Sequence, residues 1–164
     1  MSIPVRLSLL FVVALLIQLT VFVDVRFFGV APELLSLLAV VAAFFIGPER
    51  GPLVAFAAGM VWDVYLPTPL GVTAITLAVA AYAVATLNEG LFHDTRGQLM
   101  VMVGMASAGS VIGYALLGGI MGSPELLRID MFRIALIVGA LNAALVPGVT
   151  PLIVWALGGE EPVR

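Results

Sequence analysis

The sequence predicts an all-α integral membrane protein, a six-helix transmembrane bundle forming a single domain over residues 1–164. Three observations carry that expectation. Apolar residues make up 62% of the chain and charged residues 10%, against roughly 45–50% and 25% in soluble domains. Charges and prolines divide the chain into six apolar segments, at residues 7–23, 34–46, 51–62, 70–87, 98–121 and 132–157. No polar block is long enough for a soluble domain, so one compact membrane domain is the economical solution.

Taken in order, the first segment is about 17 residues, or ~25 Å of helix, slightly short of the ~30 Å hydrocarbon core. Arg6 precedes it as in a signal peptide, but no small-x-small cleavage site follows, and a retained span is expected. Pro32 and Glu33 suit the start of the second helix: proline needs no donor there, and the carboxylate faces the positive end of the dipole. The third segment, about 12 residues long, is too short to span comfortably, and so is the second. The tight turn at 47–50 makes them an antiparallel pair, shielded by neighbours or with an end beneath the surface or lining a cavity. The fourth and fifth segments are joined by the most polar stretch, which holds Leu91, Phe92, His93 and Asp94. The two apolar residues there are expected to dip into the headgroups. Residues 123–130 are a candidate short surface element. The sixth segment contains Asn142, Pro147 and Pro151, and a kink or break is expected near Pro147.

Several function classes are excluded by composition. The seven basic residues are all Arg, the net charge is −3, and no basic patch exists, so nucleic acid is not a partner. With no cysteine there are no disulfides, thiol nucleophiles or thiolate metal sites. His93 beside Asp94 resembles a base with its orienting carboxylate, but no nucleophile is marked by context, and a solvated loop histidine is expected. There is no HExxH, no phosphate-cradling glycine loop and no intramembrane aspartate pair. An enzyme is not expected, nor a cofactor. Asp24, Glu33, Glu49 and Asp63 all fall at expected helix ends rather than at mid-span, which argues against an ion-coupled carrier. Gln18, Thr20, Thr73, Thr76 and Asn142 lie in or near spans, where they serve as interhelical hydrogen-bonding groups or line a small-molecule pocket. With both termini inside, the inner segments hold Arg6, Arg50, Arg96 and Arg164 against Arg26, Arg128 and Arg133 outside, so a cytoplasmic location of the termini is favoured.

Packing gives the clearest signal. Gly51, Ala55, Gly59 and Asp63 recur every fourth residue and share one face of a helix, small along its length and ending in a carboxylate. An acid at such a depth usually has a partner or a purpose; the plainer reading is that Asp63 caps a short helix at headgroup level. The fifth segment carries Gly104, Ala108, Gly109, Gly113, Gly118, Gly119 and Gly122, including Gly109-x-x-x-Gly113, and the sixth carries Gly139-x-x-x-Ala143. Such faces let backbones approach closely, within the bundle or to another protein's span.

These features, in this order, resemble the bacterial rod-shape-determining protein MreD family. The resemblance rests on a first span ending near Gln18 and Thr20, then Phe28-Gly29-Val30-Ala31-Pro32-Glu33-Leu34-Leu35, and the G-x-x-x-A-x-x-x-G-x-x-x-D helix from Gly51 to Asp63. Pro69-Leu70-Gly71 with Thr73-Ala74 follows, and Leu141-Asn142-Ala143-Ala144-Leu145-Val146-Pro147 closes the pattern. It implies a non-enzymatic scaffold or regulator of the cell-elongation machinery in the bacterial inner membrane. The implied partners are MreC, the glycosyltransferase RodA with its transpeptidase, and indirectly the actin-like MreB, supporting side-wall peptidoglycan synthesis and rod shape. It also implies a fold similar to the substrate-binding components of energy-coupling-factor vitamin transporters, which keeps such a transporter subunit as the alternative. Those components carry an alanine ladder on the first helix, where this chain has only Ala14. The residues expected to pack helices or bind partners are Gly51, Ala55, Gly59, Asp63, Gly71, Gly109, Gly113, Asn142 and Pro147, with a groove between spans receiving the transmembrane helix of MreC.

Overall fold

The computed structural model describes residues 2–22, 24–26, 29–67, 69–90, 96–127 and 130–159. His93, Asp94, Leu91, Phe92, Arg128, Arg164 and Phe28 of the quoted motif lie outside them. Among the described residues there are six α-helices: α1 (Ile3–Thr20), α2 (Leu34–Ile46), α3 (Gly51–Asp63), α4 (Val72–Gly90), α5 (Arg96–Ile120) and α6 (Asp130–Ala156). A 3-10 turn, Pro124–Leu126, precedes α6. Three of the six, Ile3–Thr20, Gly97–Ile120 and Asp130–Ala156, are long and apolar enough to cross a bilayer; α2 and α4 are shorter apolar helices.

Neighbouring ends identify the two poles of the bundle. At one pole the Arg6 guanidinium donates to the carbonyl of Trp155 (3.2 Å) and lies 5.5 Å from its ring, joining the start of α1 to the end of α6. The ends of α2 and α4 meet there too, through Asn88 Nδ2 donating to the Phe44 carbonyl (3.2 Å). At the opposite pole, which we call the far pole, α1 ends, α2 begins, and α3 hands over to α4. The Gln18 side chain spans the first of these junctions, donating to the Pro32 carbonyl (3.0 Å) and accepting from the Leu34 N–H (2.8 Å).

The short helix α2 is the centre of the fold. Every residue from Leu35 to Phe44 is buried, because α1, α3, α4, α5 and α6 all pack on it. A helix apolar on all sides belongs inside a bundle. At 13 residues it reaches only about 20 Å, and its neighbours supply the rest of the bilayer thickness. Gly47, at φ +91, stops it in a backbone conformation that other residues rarely adopt. The equally short α3 is shielded on one side only: Leu53, Phe56 and Val61 are exposed.

Ala39, Ala43, Ala55, Ala58, Leu77 and Ala81 form one cluster joining α2, α3 and α4, and the larger side chains of α2 pack with α1, α5 and α6 in a second. Helix α6 is not broken near Pro147. It runs on through Pro147 and Pro151. The two prolines lie four residues apart on one exposed stripe, so the backbone donors they remove are lost from a single face. Between them the Thr150 hydroxyl donates to the Val146 carbonyl (2.7 Å).

Candidate functional site

Helix α3 is clamped at both ends by contacts that admit no side chain. A Cβ on Gly51 would sit 2.7 Å from Cα of Ala43 in α2, and one on Gly59 would sit 2.4 Å from Cα and 2.7 Å from the backbone nitrogen of Ala74 in α4. Ala55, fully buried between them, fills the alanine cluster. The face on which these residues recur thus turns inward, with its first turn on α2 and its last turn on α4.

Asp63 completes that face. Its Oδ2 accepts from the N–H groups of Gly71 (2.8 Å) and Ala74 (3.2 Å), and its Oδ1 from that of Thr73 (3.1 Å). These are the orphan donors at the start of α4, where a helix dipole favours negative charge. The residue before α4 is Gly71, at φ +100, which has no side chain with which to cap. Asp63, 1% exposed, does so from the end of the preceding helix. Asp63, Gly71 and Gly59 are therefore one device: the glycine at 59 admits α4, the glycine at 71 turns the chain into it, and the carboxylate holds its first turn.

A second polar group lies in the middle of the bundle. Asn142 of α6 donates from Nδ2 to Ser107 Oγ of α5 (3.0 Å) and more distantly to Ser36 Oγ of α2 (3.5 Å). All three are essentially inaccessible. Ser36 in turn donates to the Glu33 carbonyl (2.8 Å) and to its carboxylate (3.1 Å). The chain Asn142–Ser36–Glu33 links mid-bundle to the far pole. Asn142 Oδ1 itself has no partner among the described atoms.

The fifth helix divides its glycines among three tasks. Gly104 meets Gly139 and Ala143 of α6: a Cβ on Gly139 would lie 2.7 Å from the Gly104 carbonyl oxygen, so these two backbones touch. Gly118 and Gly119 receive Leu126 and Leu127 of the 3-10 turn and the residue after it, with hypothetical Cβ atoms 2.6 and 2.5 Å away. Gly113 packs on Thr76 of α4 at 3.0 Å, whereas Gly109 has nothing within 4 Å of where its Cβ would be. Gly109 lies open in a groove between α4 and α5, of about 410 Å³, whose walls include Ala80, Ala83, Ala106 and Gly113. The face expected from Gly109-x-x-x-Gly113 is thus half packed and half free. Pro147 is exposed on α6 and takes part in neither polar group.

A family description of the rod shape-determining protein MreD matches residues 3–154. The chain belongs to the MreD family. Its role therefore lies in rod shape determination, as a membrane protein built from apolar helices. Neither the curated proteins nor the solved structures gave a match to it, and no similarity to the vitamin-transporter components is found.

In this MreD-family chain the structure brings Gly51, Ala55, Gly59, Asp63 and Gly71 together around α3, sets Asn142 at the centre, and separates Gly109 and Gly113 from both. Sequence reasoning missed the partnership of Asn142 with Ser36 and Ser107. Serines on apolar helices carry no spacing signal, and only the tertiary fold pairs them. It also left Glu33 as a helix-start acid, although its half-buried side chain lines a cleft at the far pole. Among the described residues no cluster of His, Asp and Glu is arranged to hold a metal ion.

Proposed function

We propose that this protein is a non-enzymatic scaffold of the bacterial cell-elongation complex, resident in the inner membrane with its termini cytoplasmic. In this reading it binds MreC and, through the assembly with RodA, its transpeptidase and MreB, supports side-wall peptidoglycan synthesis. One observation carries the contact: Gly109 stands open in an apolar groove between α4 and α5, where Ala80, Ala83, Ala106 and Gly113 lie among larger side chains such as Val79, Leu87 and Met105. Small residues facing a groove let a partner helix approach to backbone contact, the strongest form of helix association where lipid provides no hydrophobic driving force. The transmembrane helix of MreC is its occupant.

Gly109 and Gly59 make a matched pair for testing this. Because nothing lies within 4 Å of a Cβ at Gly109, Gly109→Leu leaves the bundle intact while filling the groove. Co-purification of MreC with the tagged protein in mild detergent should then fall to background, with the helical content and thermal unfolding of the variant unchanged. Undiminished recovery of MreC would sink the assignment of this groove. The transporter alternative draws on the far-pole cleft alone, and recovery of paired ATPases in the same purification would establish it instead.

A further inference from the structure

Two acids of the far pole, the buried Asp63 and the half-buried Glu33, are provided for unequally. Asp63 accepts three backbone N–H groups, whereas the Glu33 carboxylate accepts only from the Ser36 hydroxyl and has no ion pair among the described residues. Glu33 also lies deep. Asn142 is about 18 Å along α6 from Asp130, and Glu33 is one turn of α2 nearer the far pole than Ser36, which places it about 13 Å below the start of α6. Since α6 has 27 residues, about 40 Å against a ~30 Å hydrocarbon core, that level is inside the bilayer. An acid there is costly without a partner.

It opens on a cleft of about 230 Å³, lined also by Trp62, Thr73, Thr76, Ser110 and Tyr114, with apolar walls from α5 and α6. Three of its polar groups, Glu33, Thr76 and Ser110, are acceptors. Thr76 spends its proton on the carbonyls of Val72 and Thr73 (both 3.0 Å), and Ser110 spends its own on the Ser107 carbonyl (2.8 Å), so both present lone pairs. The Thr73 hydroxyl is buried without a partner among the described atoms. An anion would meet a carboxylate, and the helix N-terminus that would otherwise attract it is already occupied by Asp63.

We propose that this cleft binds a protonated primary amine carried on an apolar body, with Glu33 as counter-ion. The same chemistry is offered by the ethanolamine headgroup of a phospholipid and by a free aliphatic amine. The cleft shares Thr76 with the groove assigned to MreC but is otherwise lined by different residues, and it does not depend on that assignment.

Octylamine is the probe, and Trp62 is the reporter once Trp155→Phe removes the only other tryptophan. With the protein in phosphatidylglycerol nanodiscs, octylamine should change the Trp62 emission saturably, and octanol, equal in chain length but uncharged, should not. Glu33→Gln, which keeps an acceptor for Ser36, should weaken the response about tenfold or more through loss of a charged hydrogen bond, with thermal unfolding unchanged. Nanodiscs containing phosphatidylethanolamine distinguish the sources. If the headgroup fills the cleft, octylamine affinity falls in them, and native mass spectrometry finds that lipid retained by the wild type and lost from Glu33→Gln. If affinity is the same in both lipids, the ligand is a free amine. An absent or unsaturable octylamine response, an equal response to octanol, or equal affinity in Glu33→Gln would overturn the proposal; the octanol comparison decides on the Trp155→Phe protein alone, without altering the cleft.

Discussion

At the scale of single residues, the placement of Asp63 turns an acid that looks out of place in a membrane into a structural cap. Two oxygens serve three donors, so the isosteric amide is not a neutral replacement. In Asp63→Asn one oxygen can still receive two N–H groups, but the amide nitrogen then faces the third, leaving a buried donor opposed by a donor. That costs about 1–3 kcal/mol, and Asp63→Ala, which strands all three, costs more. Thermal unfolding in detergent should rank wild type above Asn and Asn above Ala. Equal midpoints for all three would show that α4 starts without help from this carboxylate. Gly71 enters the same accounting, since its φ of +100 strains any replacement with a side chain.

At the scale of elements, α3 is held by proximity. Its glycines allow the backbones of α2 and α4 within a distance at which no Cβ fits, and dispersion across such a contact is what binds helices in lipid. Gly59→Leu must push Ala74 away and with it the first turn of α4, breaking the Asp63 cap as well. A loss of several kcal/mol follows, at or beyond the upper end of the roughly 1–3 kcal/mol typical of overpacking. The variant should fail to accumulate in membranes, whereas Gly109→Leu accumulates normally. A Gly59→Leu protein as abundant and heat-stable as wild type would show the clamp to be dispensable. This contrast marks the limit of what the sequence makes legible. The face of α3 could be read directly, because residues four apart share a side and Gly59 and Asp63 lie on it with Ala55. The two glycines at 109 and 113 also share a side, yet one packs and the other does not. Which one depends on where α4 runs, and nothing local to α5 encodes that. The helices themselves were readable from Pro, Gly and charge positions. That α6 continues through Pro147 was not, since a proline alone does not say whether a helix ends, kinks or runs on.

At the scale of the whole molecule, the polarity of the bundle becomes an experiment. The chain has no cysteine, so single cysteines report position without background. Glu49, in the turn before α3, is exposed at the pole that joins Arg6 to Trp155, and Glu125, in the 3-10 turn before α6, is exposed at the far pole. With cytoplasmic termini, a membrane-impermeant maleimide applied to intact spheroplasts labels Glu125→Cys and spares Glu49→Cys until the membrane is permeabilised. The reverse pattern would invert the orientation. The far-pole cleft then faces the periplasm in the expected orientation and the cytoplasm in the other, so the same measurement fixes the compartment from which a free amine would reach Glu33.

The central position of α2 also constrains how the protein can be made. A ribosome delivers this helix early, but two of the five helices that enclose it, α5 and α6, are synthesised much later. Until then a 13-residue segment that is too short to cross the bilayer must wait in it, with Ser36 still lacking Asn142. The three helices from α2 to α4 therefore stay incompletely enclosed until the last two helices close over α2.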